Sequence, residues 1–171
     1  PRRDAGEDAR RQRQLGRLDR CDQRIECGPL LARGHGFDRL AAVAALYKDA
    51  GAGTKQSRDE AYREQMAATH AKYPDDETSL FYGLSILGTI REGTKGFEMQ
   101  GRAVALFESV YAHDPQHPGA LHYLIHAYDD PVHAETGLAV ARAYAKTAAA
   151  VPHASHMPSH IFTRLGHWDE A

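Results

Sequence analysis

Two pairs of histidines carry the chemistry that this sequence offers. His122 and His126 stand four apart, and His156 and His160 repeat that spacing 34 residues later. A separation of four puts two side chains on the same face of a helix, one turn apart. If the two helices neighbour each other, with axes about 8–10 Å apart, all four imidazoles reach one concavity. Four ring nitrogens would suit Zn, Cu or Ni, with Asp129 as an optional oxygen ligand. The same rings can instead hydrogen-bond each other, backbone carbonyls, or Tyr123 and Tyr128, and so hold neighbouring helices in register. Pro158 is tolerated only near a helix start, which places His156 in a first turn with a different orientation from His122.

Other catalytic patterns are missing from the text. Neither pair contains the Glu of HExxH, so zinc-protease chemistry is not indicated. There is no Gly-rich phosphate loop and no GxSxG elbow. Ser155 and Ser159 lie beside histidines, but no orienting acid is near them in sequence. His113, His117, His133, His153 and His167 fall at turns and read as capping or solvated groups. Asp129-Asp130 before Pro131 reads as a helix stop.

The elements that must position the histidines repeat with them. PGALHYLIHAY from Pro118 aligns beneath PHASHMPSHIF from Pro152, and the same offset of 34 carries Leu106 onto Val140 and Val110 onto Tyr144. A fixed period of this size with helical hydrophobic spacing inside it is the mark of a helical repeat array. Upstream, Phe37, Leu40, Ala41, Ala44 and Tyr47 predict a helix to Ala50. Ser57 with Glu60 reads as a capping box opening a helix over Arg58 to Lys72. Asp75-Asp76 caps a helix over Glu77 to Ile90 carrying Leu80, Phe81, Leu84 and Leu87. A polar loop then leads to a helix over Phe97 to Ala112. Pro118 suits a first helical position. Further helices are predicted over Ala134 to Ala149 and Ser155 to Leu165, with a turn at Gly166. No period-two alternation runs long enough for a strand, so the fold class is all-α, in antiparallel helix pairs.

Bulk composition narrows the function classes. A net charge of −2 gives no electrostatic case for nucleic acid. No apolar run reaches the ~18 residues of a membrane span. Nine of the 11 histidines lie between His113 and His167, the one compositional feature that asks for a chemical explanation. Residues 1–40 differ from the rest: they hold ten of the sixteen Arg and no Lys. They read as an Arg-rich arm, poorly ordered or non-native, with a short helix over Glu7 to Leu18 at best. Cys21 and Cys27 lie in it, at a spacing that is neither a zinc nor a redox signature.

Residues 41–171 resemble the tetratricopeptide repeat. The resemblance rests on the 34-residue unit, on Ala139, Ala141 and Tyr144 in a second helix, on Pro152, and on the Leu165-Gly166-x-Trp168-x-x-Ala171 turn. More narrowly, HPGALHYLIHAYDDP and PHASHMPSHIFTRLGHWDEA look like a group of bacterial tetratricopeptide-repeat proteins. The resemblance implies a right-handed α-solenoid and a soluble bacterial protein, cytoplasmic or periplasmic. It further implies a non-enzymatic scaffold whose groove binds a protein or peptide through His122, Tyr123, His126, His156 and His160, with no cofactor. The alternative is the metal site on His122, His126, His156, His160 and Asp129. The unit before Pro118 is stretched, since Pro74 lies 44 residues upstream. The text breaks off within a repeat, which predicts an internal fragment and the option of self-assembly through an exposed repeat end.

Overall fold

Short polar side chains decide where the helices begin. Thr54 caps the helix Lys55–Lys72, its hydroxyl accepting from the Ser57 amide at 3.1 Å. The cap therefore lies three residues before the Ser57–Glu60 box expected from sequence, because Thr54 offers the same chemistry one turn earlier. Asp75 caps the helix Asp76–Gly88, and Thr78 returns a bond to the Asp75 amide, closing a reciprocal box. His117 caps Pro118–Tyr128, and Pro118 occupies its first turn. Gly166 ends Pro158–Leu165 with φ +75°, a left-handed conformation that glycine adopts without a side-chain penalty.

The computed structural model describes residues 35–48, 51–91, 93–94, 96–147 and 152–171. The chain divides into units Pro1–Phe37 and Asp38–Ala171, and both histidine pairs belong to the second. The Arg-rich run 1–34, with Cys21, Cys27 and the helix read over Glu7 to Leu18, lies outside the described residues, as do Ala50 and Ala149. The described helices are α1 His35–Tyr47, α2 Lys55–Lys72, α3 Asp76–Gly88, α4 Glu98–His113, α5 Pro118–Tyr128, α6 Ala134–Thr147, α7 Pro152–His156 and α8 Pro158–Leu165. Among the described residues there is no strand, so this part of the chain is all-α. The final helix read over Ser155 to Leu165 is in fact two pieces that start earlier. Pro158 has no N–H for the carbonyl one turn back, and the helix breaks at Met157.

From α2 onward each long helix packs on its neighbour along the chain, and α5 also touches α3 and α8. The buried face of α5 is Leu121, Leu124, Ile125 and Tyr128, which leaves His122 and His126 on another face. Gly83 on α3 lets Phe107 of α4 close against the helix backbone, since a Cβ there would meet the ring at 2.3 Å. That contact rotates α3 from its expected register: Leu80, Gly83 and Ile86 are buried, while Phe81, Leu84 and Leu87 are half-buried. In α1 the expected stripe also faces outward. Leu40 and Tyr47 are 60% and 74% exposed, and Ala42 is the buried residue.

A polar contact ties the α3–α4 loop to α2. Asp59, nearly buried, accepts from Lys55 Nζ at 2.7 Å and Arg91 Nη1 at 3.1 Å. Burial alone would raise its pKa, but the two cations together hold it below the usual carboxylate value. Because the unfolded chain takes up the proton first, this contribution is complete above the unfolded pKa of about 3.9 and is lost as pH falls through the lower folded value. D59N is expected to cost about 1–2 kcal/mol at pH 7. Urea melts at pH 7 and at pH 3 check both parts: the gap between wild type and D59N should narrow in acid.

Candidate functional site

The face of α5 that is turned from the core meets α7 and α8 in a cluster of imidazoles. His122 Nε2 and His126 Nε2 lie 3.1 Å apart, and His156 Nε2 and His160 Nε2 lie 2.9 Å apart. The nitrogen spacing thus repeats as the sequence does, while the ring planes do not, crossing at 29° in the first pair and 75° in the second. The break at Pro158 does not turn His156 away, contrary to the orientation expected from the proline, because Met157 keeps helical backbone angles of φ −57° and ψ −41°. His153 joins them. Ring centroids run His126 to His122 at 5.0 Å, His122 to His153 at 5.2 Å, His153 to His156 at 6.2 Å, His156 to His160 at 4.7 Å, and His160 back to His126 at 6.2 Å. Five imidazoles close a circuit.

The outer nitrogens are held from behind. His160 Nδ1 lies 3.0 Å from Asp129 Oδ2, and the other oxygen of Asp129 accepts from Arg164 Nε. A carboxylate only accepts, so His160 carries a proton on Nδ1, and in the neutral ring Nε2 is then the nitrogen that presents a lone pair to His156. His122 Nδ1 lies 3.1 Å from the hydroxyl of Tyr144, which reaches across from α6. The two aspartates after α5 divide their work. α5 ends at Tyr128, as the Asp129-Asp130-Pro131 run predicts. Asp130 Oδ1 accepts from the amides of Val132 and His133 in the turn that follows, and Asp129 serves the imidazoles.

Electrostatics keep the α5 part of this surface neutral. Burial first, and then the neighbouring His126, His153 and His160, push the His122 pKa down to about 4. His126 is lowered chiefly by burial and by His160, with Asp129 opposing. Burial raises Tyr123 and Tyr144. At neutral pH His122 and His126 are therefore hydrogen-bonding groups with available lone pairs, not cations.

The residues singled out from sequence are dispersed unevenly. His122, His126, His156, His160 and Asp129 come together. Tyr123, read as an aromatic anchor, sits at the margin, with its ring 5.5 Å from both His122 and the core ring of Phe107. Among the described residues, no three His, Cys, Asp or Glu side chains are grouped closely enough to hold a metal ion jointly. The single four-nitrogen site is thus not pre-assembled, and the histidines stand as two pairs. His153 and Arg164 stand three residues before His156 and four after His160, a spacing that could have marked them. The sequence reading instead places His153 at a turn and does not single out Arg164. Tyr144 comes from a different helix, and no local pattern marks it. The turn histidines have partners of their own: His113 with Asp76, His133 with Asp130 and Phe97, His167 with Glu170. Ser155 and Ser159 donate to the carbonyls of Pro152 and His156, so neither hydroxyl is offered to an imidazole.

Beside His126 the surface opens into a cleft of about 410 Å³ lined by Leu84, Leu87, Ile90, Gln100 and His126. Gln100 Oε1 is buried there and has no hydrogen-bond partner among the described residues. The chain matches no family model, no curated protein and no solved structure. Among the described residues, no helix is long and apolar enough to cross a membrane.

Proposed function

We propose that this chain is a non-enzymatic binding scaffold of the tetratricopeptide type, a right-handed stack of helix pairs that takes a peptide segment of a partner protein along its imidazole face. The stacking part of this reading draws support from α5, which packs against α3 before it and α8 after it as well as against its sequence neighbours. In a stack, first helices of successive pairs line one wall. The observation that carries the binding part is the cleft next to His126. Its Leu84, Leu87 and Ile90 floor suits an apolar side chain, and exposed His126 at its edge suits a polar group of an extended segment. Neutral His122 and His126 extend this polar edge without adding charge, so recognition would rest on hydrogen bonds and apolar contact.

The test is selection from a random peptide display library, followed by affinity measurement on single peptides. Enriched peptides should share one apolar residue flanked by polar positions. Leu87→Glu should weaken them at least tenfold, because it buries a charge in the cleft floor. No enrichment, or binding indifferent to Leu87→Glu in a variant with unchanged circular dichroism, would contradict the reading.

A further inference from the structure

The imidazole circuit has a second use that does not depend on a peptide partner. We propose that each His pair is a bidentate nitrogen chelate for a borderline divalent transition metal, with the first ion bound by His156 and His160 and a second by His122 and His126.

Three observations carry this. The first is the nitrogen separation. An ion ~2.0–2.1 Å from each of two nitrogens that are 2.9 or 3.1 Å apart subtends an angle of roughly 90–100°. Tetrahedral zinc asks for a wider angle, whereas the tetragonal geometry of Cu(II) and Ni(II) asks for one close to 90°. Copper also stands highest in the general affinity order for nitrogen sites. The second is the tautomer of His160. With Nδ1–H donated to Asp129, Nε2 faces its partner as a lone pair, and a carboxylate behind a ligating imidazole both orients the ring and raises its basicity. Tyr144 stands behind His122 in the corresponding place. The third is repetition: the close Nε2-to-Nε2 spacing occurs in both units, although one helix is continuous and the other is broken at Met157. It does so although the ring planes cross at 29° in one pair and 75° in the other.

Each pair supplies two ligands, and water completes the coordination, which agrees with the lack of any three-ligand group among the described residues. The exposure of His126 and His156 leaves room for those waters. As the ion takes the place of the shared Nε2 proton, the donor ring passes, through solvent, to the tautomer protonated at Nδ1. Both rings then ligate as neutral imidazoles, with no net proton release and no change of oxidation state.

The metal-free chain, titrated calorimetrically with Cu(II), Ni(II), Zn(II) and Mg(II) separately, tests the assignment. Cu(II) should bind most tightly with two ions at saturation, and Mg(II) should not bind. The paramagnetic resonance spectrum of the first Cu(II) equivalent should show two nitrogen ligands. H160A should weaken the first ion at least tenfold. D129N, which leaves every ligand in place, should weaken it by roughly tenfold or more through loss of orientation. H113A/H167A, which removes two histidines elsewhere, should change nothing. Absence of Cu(II) binding, unchanged affinity in H160A or D129N, or an equal loss in H113A/H167A would overturn the proposal. Circular dichroism of each variant separates these results from unfolding, and the peptide measurements, made in chelator, are unaffected by either outcome.

Discussion

Gly83→Ala is expected to destabilise the chain by about 2 kcal/mol and to lower its melting temperature by roughly 4–8 °C. Alanine normally favours a helix over glycine by ~0.5–1 kcal/mol, so the sign itself is informative. The new Cβ would stand 2.3 Å from Phe107 Cε1 and 2.7 Å from Cζ. Phe107 is fully buried among the core side chains and has no open side to move into. The ring must tilt or α3 and α4 must part, and both loosen the layer under α5. Phe107→Leu alone should also destabilise, through the cavity it leaves. The double variant should be more stable than the sum of the two losses, because the shorter side chain makes room for the methyl group. Thermal melts of the four chains check this, and strict additivity would show that the two residues do not share the space.

Ile161→Ala is the second large effect. Ile161 is fully buried on α8, and its side chain lies against Gly137 of α6, where an added Cβ would meet Ile161 Cδ1 and Tyr128 Cβ, each at 3.1 Å. Loss of the branched side chain is expected to cost about 2–5 kcal/mol. The consequence reaches the imidazoles, since Ile161 immediately follows His160 and anchors the helix that presents it. In urea melts the variant should lose stability by that amount. Where the fold persists, the His160–Asp129 contact should loosen as well. A stability change below about 1 kcal/mol would mean that α8 is held chiefly by its polar contacts instead.

What could be read from sequence was what repeats or punctuates. Pro118, Asp75 and Gly166 mark helix ends by local chemistry, and the 34-residue offset placed the two histidine pairs in matching positions. The buried faces were harder. In α1 the alanines at 41, 42, 44 and 45 allow more than one apolar stripe, and the stripe through Leu40 and Tyr47 is the exposed one. In α3 the residue that sets the register is Gly83, which adds nothing to a hydrophobic pattern yet admits the closest neighbour. The site was legible in its ligands and illegible in its supports. Tyr144 reaches it across the packing of α5 with α6, and only tertiary contact brings it there. His153 and Arg164 sit one helical turn from His156 and His160, and what the sequence hides is their contact with His122 and Asp129 on α5 and its end.

One contact between repeats holds the site together: the α8 imidazole of His160, fixed by the α5-terminal carboxylate of Asp129 so that its inner nitrogen faces His156. Nitrogen NMR of the histidine rings, in metal-free chain at neutral pH, reports directly which ring nitrogen carries the proton. The expected result is a single His160 tautomer protonated at Nδ1, lost in D129N together with a change in its partner His156, while the histidines outside the cluster keep their signals. A His160 protonated at Nε2, or averaged between tautomers like a solvated imidazole and indifferent to D129N, would contradict that role for Asp129 and the paired-nitrogen site with it.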